Sequence, residues 1–537
     1  MVNIVTVRRW WQRPTSPLLV ISAVSLLIHL ATNGLYGFHT DELYYIESGR
    51  HPALGYVDYP PVTPMLAWLN TSIFGVHPWT LRLFPAIAVA AVVFLTGLCT
   101  RDMGGGRWVS ILASTVALLS PLLLATWLFQ TVAFDQLTWM IAIYLLLRIL
   151  CTGETRLFIL LGLDLGIGFE TKFTIVGLWV RIAAAVLMSR ELRPLLRTRY
   201  PWLGLAIVAA ASAPNVGWQI GNGFPTLTYI HNHSADISAG GGIGSFAALF
   251  VLSMGPLLLP LWIAGLVVLW RDPHLRPMGG LAMVAIAVLA EGKGYYPAPT
   301  IPLVLAAGCV GIDRIASRTH RRRLTGLALG AGLLEAVLLL PILLPLVPAS
   351  SMHRLGIDKL NPDYANTVGW PQMTAQVAAV YNSLPEAQRA HAAILTSIDG
   401  EAGAIDIYGR SEHLPRAISP HLNFWYWKPA NLDATILVTV DYSPHDLAFL
   451  CGTVTRGGTV TSPYSIVYVA QTLTRGFSAS TIMILHSVLS RGGRPMTSGG
   501  CEDPRERRQR NGGNEPWSLS WPTRSSREAP AEAARFR

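Results

Sequence analysis

Residues 80–99 read TLRLFPAIAVAAVVFLTGLC, and Arg82 is the only charged residue among them. A helix needs about 20 predominantly apolar residues to cross the hydrocarbon core of a bilayer. Similar stretches recur up to residue 347, so the sequence predicts a polytopic α-helical membrane protein with about eleven transmembrane helices. The other predicted spans are 17–36, 108–126, 131–150, 156–170, 173–189, 202–218, 246–270, 277–291, 295–313 and 324–347.

The composition of the whole chain agrees with this class. Of the 537 residues, 51% are hydrophobic and 13% are charged, and the mean hydropathy is +0.40. A soluble domain carries about 25% charged residues. The formal net charge is +10, but the arginines cluster in short loops between apolar segments. That placement is typical of membrane orientation and argues against nucleic acid as a partner.

The arginines also predict the orientation of the chain. If the first apolar segment is an uncleaved helix and the N-terminus is cytoplasmic, alternate loops carry most basic residues. The loops on the opposite side hold few: Arg50, Arg82, Lys172 and Lys293. The predicted cytoplasmic loops hold Arg101, Arg107, Arg148, Arg156, Arg190, Arg193, Arg197, Arg199, Arg271, Arg276, Arg314, Arg318, Arg321, Arg322 and Arg323. We therefore expect a multi-pass protein of the plasma (inner) membrane with an extracytoplasmic C-terminal region.

Three regions follow from this assignment. Residues 1–349 are predicted to form the transmembrane domain, whose first external loop spans 37–79. Residues 350–475 contain short β-branched runs at Ala393–Thr396, Ala434–Val440 and Tyr464–Val469, which predict a small extracytoplasmic α/β domain. Residues 476–537 are rich in Arg, Gly, Ser, Pro and Glu, and we expect a disordered tail.

Polar residues that could act in catalysis or in ligand binding collect in the loops of the predicted outer face. Each has a simpler explanation. Asp41 and Glu42 could stabilise a helix start, and Asp135 could cap the fourth helix. Lys172 and Lys293 could be interfacial lysines, and paired histidines are a weak metal signal. The shared face is the stronger argument, and it brings together Asp41, Glu42, Asp58, Asp135, Glu170, Lys172, His231, His233, Glu291, Lys293, Tyr295 and Tyr296.

The first loop resembles one enzyme family. The segment FHTDELYYIESGRHPALGYVDYPPVTPMLAWL (residues 38–69) joins an Asp-Glu pair to an acidic residue before Pro-Pro. It is similar to the bacterial, polyprenyl-phosphate-sugar-dependent branch of glycosyltransferase family 39 in the GT-C superfamily. That family includes protein O-mannosyltransferases and aminoarabinose transferases. The supporting segments are VAFDQLTWM, GFETKFT, EGKGYYPAPTIPL, EAGAIDIYG and ISPHLNFWYW. The resemblance covers roughly residues 17–475.

The resemblance implies a GT-C fold and a role for each residue. Asp41 would be the catalytic base or the carboxylate that orients the acceptor, with Glu42 beside it. Asp58 would bind a divalent metal with His231 or His233. Lys172 and Lys293, with Tyr295 or Tyr296, would hold the carrier phosphate, and Asp135 would line the cavity. Tyr59 departs from relatives that carry a basic residue there, so the donor sugar stays open.

The reaction implied is an inverting, single-displacement transfer from a polyprenyl-phosphate sugar to an envelope acceptor, which could be protein, lipid or polysaccharide. No nucleotide or organic cofactor is expected. Such a reaction needs a base for the acceptor and positive or hydrogen-bonding groups for the departing phosphate. The alternatives are a lipid-carrier flippase or transporter, and a non-catalytic assembly protein of the envelope. A transporter would not need the acidic first loop, and we find no internal repeat of the kind typical of transporters.

Overall fold

The computed structural model describes residues 15–188, 192–231, 251–252, 254–279, 298–315, 318–352, 354–429, 434–442, 447, 452–460 and 480–487. Within these residues the chain is mostly helical up to residue 382, and a five-stranded sheet follows. The N-terminal helices are Ser16–Thr32, Thr40–Arg50, Val62–Phe74, Pro78–Leu81, Leu83–Asp102, Arg107–Leu119, Pro121–Ala125, Thr131–Thr152, Leu157–Phe169, Ile175–Met188, Arg199–Gly221, 225–231, Leu259–Arg271, Ile301–Ile315 and Arg318–Leu343.

The helices agree with a polytopic membrane protein. By length and composition, four described helices could cross a bilayer, namely Pro78–Asp102, Thr131–Thr152, Arg199–Gly221 and His320–Leu343. Shorter apolar helices are Ser16–Thr32, Arg107–Leu119, Leu157–Phe169 and Pro256–Arg271. Predicted spans 246–270, 277–291 and 295–313 lie partly outside the described residues, so the number eleven stays a prediction.

Proline divides one predicted span and begins a helix in the first loop. The span predicted at 108–126 is two helices that meet at Ser120, because Pro121 disfavours helical backbone at the residue before it. The first external loop is itself largely helical, as Thr40–Arg50 and Val62–Phe74. Pro61 immediately precedes the second of these helices, where its fixed backbone angle is compatible with a helix start.

The arginine-rich loops meet at one end of the helices. Arg148 Nη1 lies 3.6 Å from Asp102 Oδ1, which joins two of these loops. Arg314 Nη1 donates to Asp272 Oδ2 at 2.7 Å and Arg314 Nη2 donates to Met103 O at 2.9 Å, which joins two more. The described parts of these predicted cytoplasmic loops therefore share one end. Which side of a membrane this end faces stays a prediction.

The C-terminal region contains a mixed sheet in the order β2-β1-β3-β5-β4. Strands β2, β1 and β3 are parallel, whereas β5 is antiparallel to both β3 and β4. The bounds are β1 Ala392–Thr396, β2 Ala417–Ile418, β3 Ile436–Val440, β4 Gly452–Val460 and β5 Ser480–Ser487. The helices are Ala349–Met352, Ile357–Leu360, Trp370–Asn382, Glu386–Arg389, Asp399–Tyr408 and Phe424–Trp427.

Two of the three predicted β-branched runs are β1 and β3, and the third lies outside the described residues. The placement of β5 corrects the predicted end of the α/β domain at residue 475. Its residues Ser480–Ser487 pair with β3 and β4, so this part of the expected tail belongs to the sheet. The segment STIMILHS is apolar enough to fill an internal strand position, and the sequence prediction gave too much weight to the polar residues after it.

The α/β domain packs directly on the first external loop. A Cβ added to Gly400 would lie 2.6 Å from Thr40 Cγ2, and one added to Gly403 would lie 3.0 Å from Leu43 Cβ. The two glycines therefore let helix Asp399–Tyr408 approach helix Thr40–Arg50 closely. Leu43 also shares an apolar cluster with Ile405 of that domain. This contact brings the start of helix Asp399–Tyr408 beside the acidic loop.

Candidate active site

The Asp-Glu pair begins helix Thr40–Arg50, and its two members point to different surroundings. Glu42 is fully buried and forms an ion pair with Arg82, which is equally buried. Its Oε1 accepts from Arg82 Nε and Phe129 N, both at 2.9 Å, and its Oε2 accepts from His39 N at 2.8 Å and Arg82 Nη2 at 2.7 Å. A carboxylate with four donors and no exposed surface holds the fold together. This corrects the expectation that Glu42 shares in catalysis.

Asp41 points away from this buried ion pair, and 43% of its side chain is exposed. Its Oδ2 accepts from Gln130 Nε2 at 2.8 Å, which joins the first loop to the start of helix Thr131–Thr152. Burial raises the pKa of the Asp41 carboxyl; the charge of His39 opposes this, while the neighbouring carboxylates of Asp399 and Asp363 add to it. Asp41 is thus an accessible carboxylate with a raised proton affinity.

Asp58 lies where the first loop meets the α/β domain. Its Oδ1 accepts from Tyr44 Oη at 3.0 Å and from Asn423 Nδ2 at 3.4 Å. Asn423 Oδ1 in turn accepts from Val57 N at 3.1 Å, so one amide holds both sides of this contact. Burial raises the pKa of Asp58 to about 7, and the charge of Asp399 contributes, against the hydrogen bond from Tyr44.

The α/β domain contributes a carboxylate–imidazole pair that the sequence analysis did not identify. His421 Nδ1 lies 2.7 Å from Asp399 Oδ1, and the aspartate is buried while the imidazole is 45% exposed. Burial lowers the pKa of His421, but the hydrogen bond and charge of Asp399 outweigh it and raise the pKa overall, helped by Asp58. The segment ISPHLNFWYW, which supported the family resemblance, contains both His421 and Asn423. The sequence did not show that these residues contact Asp399 and Asp58.

A second group of predicted residues surrounds a small cavity at the start of helix Thr131–Thr152. Asp135 and Lys172 both line it, together with Thr174, Ala298 and Pro299. Asp135 is buried, and its Oδ2 accepts from Thr174 Oγ1 at 2.9 Å. It lies inside its helix, after the N-cap residue Gln130, so the alternative interpretation of Asp135 as a cap is wrong.

Several predicted ligands lie elsewhere or cannot be placed. Lys293, Tyr295, Tyr296 and His233 fall outside the described residues, although the chain resumes at Ala298, in the cavity of Asp135 and Lys172. His231 is exposed and is the last described residue of the helical segment 225–231. That helix begins beside the first loop, because Thr226 Oγ1 donates to Tyr56 O at 3.3 Å. The described parts of the predicted outer loops therefore lie at the end opposite the arginine-rich loops.

The geometry around Asp58 bears on the predicted metal site. Among the residues whose positions are described, no three His, Cys, Asp or Glu side chains form a group that could hold a metal ion. Asp58 Oδ1 is already engaged by Tyr44 and Asn423. The described side chains alone therefore do not supply a set of three ligands at Asp58, and metal dependence stays a prediction.

The fold is similar to that of solved structures of membrane proteins in the GT-C class. The structure of ArnT from Cupriavidus metallidurans in the apo state is similar, with a TM-score of 0.57 and 14% identity over 87% of this chain and 97% of the other. The same protein bound to undecaprenyl phosphate gives a TM-score of 0.56 and 15% identity, covering 90% of this chain and 100% of the other.

Residues 58–218 match the family model described as dolichyl-phosphate-mannose-protein mannosyltransferase. No curated protein sequence matches the chain. The matched segment begins at Asp58 and includes Asp135 and Lys172. The resemblance to GT-C glycosyltransferases that the first loop predicted is therefore confirmed.

Proposed function

We propose that the protein is a membrane glycosyltransferase that moves a sugar from a polyprenyl-phosphate carrier to an envelope acceptor on the extracytoplasmic face. The observation that carries this proposal is the convergence of Asp41 and Asp58 from the first loop with Asp399 and His421 from the α/β domain. These groups open beside the cavity of Asp135 and Lys172, because Gln130 bonds Asp41 and precedes that helix. A carrier flippase would not require this acidic centre.

Lys172, which lines the small cavity beside Asp135, is proposed to meet the carrier phosphate. A lysine is a compact cation that stabilises phosphate as a point charge. The cavity lies at the end of the apolar helices, where a lipid tail could remain among them while its phosphate meets polar groups. One of the two similar ArnT structures is bound to undecaprenyl phosphate, and the same class of carrier is proposed for this chain. Lys293 and the adjacent tyrosines are proposed to complete the site.

Asp41 is proposed as the base. It takes the proton of the acceptor hydroxyl or amine, and the acceptor's electron pair forms a bond to the anomeric carbon of the donor sugar. The bond between that carbon and the carrier phosphate oxygen breaks, and its electron pair leaves on the phosphate, next to Lys172. The pKa of Asp41 is raised towards neutral pH, and a carboxylate with a higher pKa is a stronger base than an ordinary aspartate.

The test is Asp41→Asn in purified protein supplied with carrier-linked sugars and envelope fractions. We expect transfer to fall at least about 100-fold, the usual scale of general-base catalysis, with an unchanged melting temperature. In the wild type, the transfer rate should rise as the pH increases through the raised pKa of Asp41, because only the ionised carboxylate accepts a proton. Asparagine does not titrate, so the variant should lose this rise. Carrier movement across vesicles with no glycosylated product would contradict the proposal and favour a flippase.

A further inference from the structure

A cavity lies where the α/β domain meets the end of helix Thr40–Arg50. Its volume is about 280 Å³, and it is lined by His51 from the first loop and by residues around β2 of the α/β domain. Strand β2 is at the edge of the sheet. It shares no lining residue with the cavity of Asp135 and Lys172.

One wall of this interface cavity is aromatic. Trp427 stacks on His51 with ring centroids 4.4 Å apart and an angle of 11° between the planes. Phe424 meets Trp427 edge to face at 5.0 Å. The faces of such rings carry partial negative charge, so they attract the slightly positive C–H groups on the apolar side of a sugar ring.

The lining also includes a hydrogen-bond donor and a hydrogen-bond acceptor, the side chains of Arg416 and Asp406. Arg416 Nη1 lies 3.0 Å from His51 Nε2, which holds the guanidinium at the rim with donors to spare. Asp406 is 6% exposed and accepts from Ala417 N at 2.8 Å through Oδ1. Burial raises the pKa of Asp406 to about 7, and the nearby carboxylate of Glu47 contributes.

A second buried carboxylate, that of Glu47, lies close to Asp406. Glu47 is fully buried beneath this interface, and its Oε1 pairs with Arg50. Its Oε2 has no hydrogen-bond partner among the residues that the structure describes. Glu47 and Asp406 are therefore neighbouring buried carboxylates, and Asp406 is the one that reaches the cavity.

One layer of aromatic side chains separates the cavity from the acidic centre. Tyr44, which donates to Asp58, lies 6.2 Å from both Phe424 and Trp427, measured between ring centroids. Asn423, which also bonds Asp58, immediately precedes Phe424. A group held in the cavity would therefore lie one side-chain layer from the carboxylates, a suitable place for a part of the acceptor next to the part that reacts.

We propose that this cavity binds a saccharide ring of the acceptor, with Arg416 and Asp406 bonding its hydroxyls and the Trp427 wall packing on its apolar side. The inference rests on the proposed glycosyltransferase function and adds to it that the acceptor is itself a glycan or carries one. The volume is close to the lower end of small-molecule sites and suits one ring. Asp41 and Lys172 would act on the reacting groups, and the cavity would set which acceptor is used.

The first experiment needs no donor. Full-length protein in detergent is titrated with a panel of methyl glycosides and observed by saturation-transfer NMR, with Arg416→Ala and Asp406→Asn as variants and Arg389→Ala, outside the cavity, as the matched control. We expect at least one glycoside to bind with a Kd of about 1 mM, the weak affinity usual for a single small group. Both cavity variants should weaken it at least tenfold, and the control should not.

Absence of binding to the wild type, or equal binding in Arg416→Ala and Asp406→Asn, would overturn the inference. Asp41→Asn separates the two proposals, because it should abolish transfer and leave glycoside binding unchanged. Once an acceptor is found, Arg416→Ala should raise its KM at nearly constant kcat. A wild-type protein that binds glycosides but transfers no sugar from any lipid carrier would refute the proposed function and leave a glycan-binding protein.

Discussion

At the scale of single residues, Asp41 and Glu42 are adjacent in the chain and serve different purposes. Helical geometry turns neighbouring side chains about 100° apart, so one can face a cavity while the other enters the interior. Glu42 meets Arg82, whose Nη1 also donates to Asn33 O at 2.7 Å and whose Nη2 donates to Gly37 O at 2.6 Å. One buried guanidinium thereby holds the end of the first helix, the acidic loop and helix Leu83–Asp102 together.

The first prediction at this scale concerns Arg82. Replacing it with Met leaves the Glu42 carboxylate buried without its counter-charge, and the loss should be about 3–5 kcal/mol of stability. The measurement is thermal unfolding of the purified protein in detergent. Arg389→Ala, which removes a guanidinium from the surface of the α/β domain, should change stability by less than about 0.5 kcal/mol. Equal effects of the two substitutions would show that the buried pair is not a main support of the fold.

At the scale of elements, close helix contacts depend on glycine. A Cβ added to Gly162 would lie 2.3 Å from Gly204 O, so helices Leu157–Phe169 and Arg199–Gly221 meet backbone to backbone. Small residues allow such approaches in membranes, where packing rather than hydrophobic burial drives helix association. Gly326, by contrast, lies in helix Arg318–Leu343 with no atom within 4 Å of an added Cβ.

Gly162→Ala should therefore force the two helices apart and destabilise the protein by about 1–3 kcal/mol. Gly326→Ala is the matched control, and we expect it to be neutral or to stabilise slightly, since alanine favours the helix by about 1 kcal/mol. Melting temperatures of both variants in one detergent would decide the matter. A neutral Gly162→Ala would mean that these helices have room to move.

The elements also show what the sequence could and could not predict. Apolar runs indicated where the described apolar helices lie, but only four of these helices are long and apolar enough to cross a bilayer. The sequence could not distinguish Asp41 from Glu42, because the partners of Glu42 at Arg82 and Phe129 are 40 and 87 positions away. Asp399 and His421 were missed for the same reason. Each resembles an ordinary surface residue until helix Asp399–Tyr408 is docked on the first loop.

At the scale of the whole molecule, one end is rich in arginine and the other carries the acidic loop, and this difference predicts how the protein is oriented in the membrane. The arginine-rich loops meet at one end, and the acidic loop and α/β domain lie at the other. Cysteines introduced in place of Glu386 and Glu154, in a background with no native cysteine, should report on opposite sides of the inner membrane. Both glutamates are exposed, so each new thiol should be accessible to reagents from its own side.

A membrane-impermeant maleimide added to spheroplasts should label Glu386→Cys and spare Glu154→Cys until the membrane is permeabilised. Labelling of both before permeabilisation, or of Glu154→Cys alone, would contradict the predicted orientation and with it the extracytoplasmic site.

The glycine contact between helices Thr40–Arg50 and Asp399–Tyr408 has a consequence for engineering and for evolution. Because Gly400 and Gly403 fit against Thr40 and Leu43 with no room for a methyl group, the helical part and the sheet are matched surfaces. A chimaera that exchanged only the C-terminal half with a distant relative would mismatch this joint and misplace Asp399 against Asp41. A graft of the C-terminal region that is meant to change the acceptor should therefore include helices Thr40–Arg50 and Asp399–Tyr408 together.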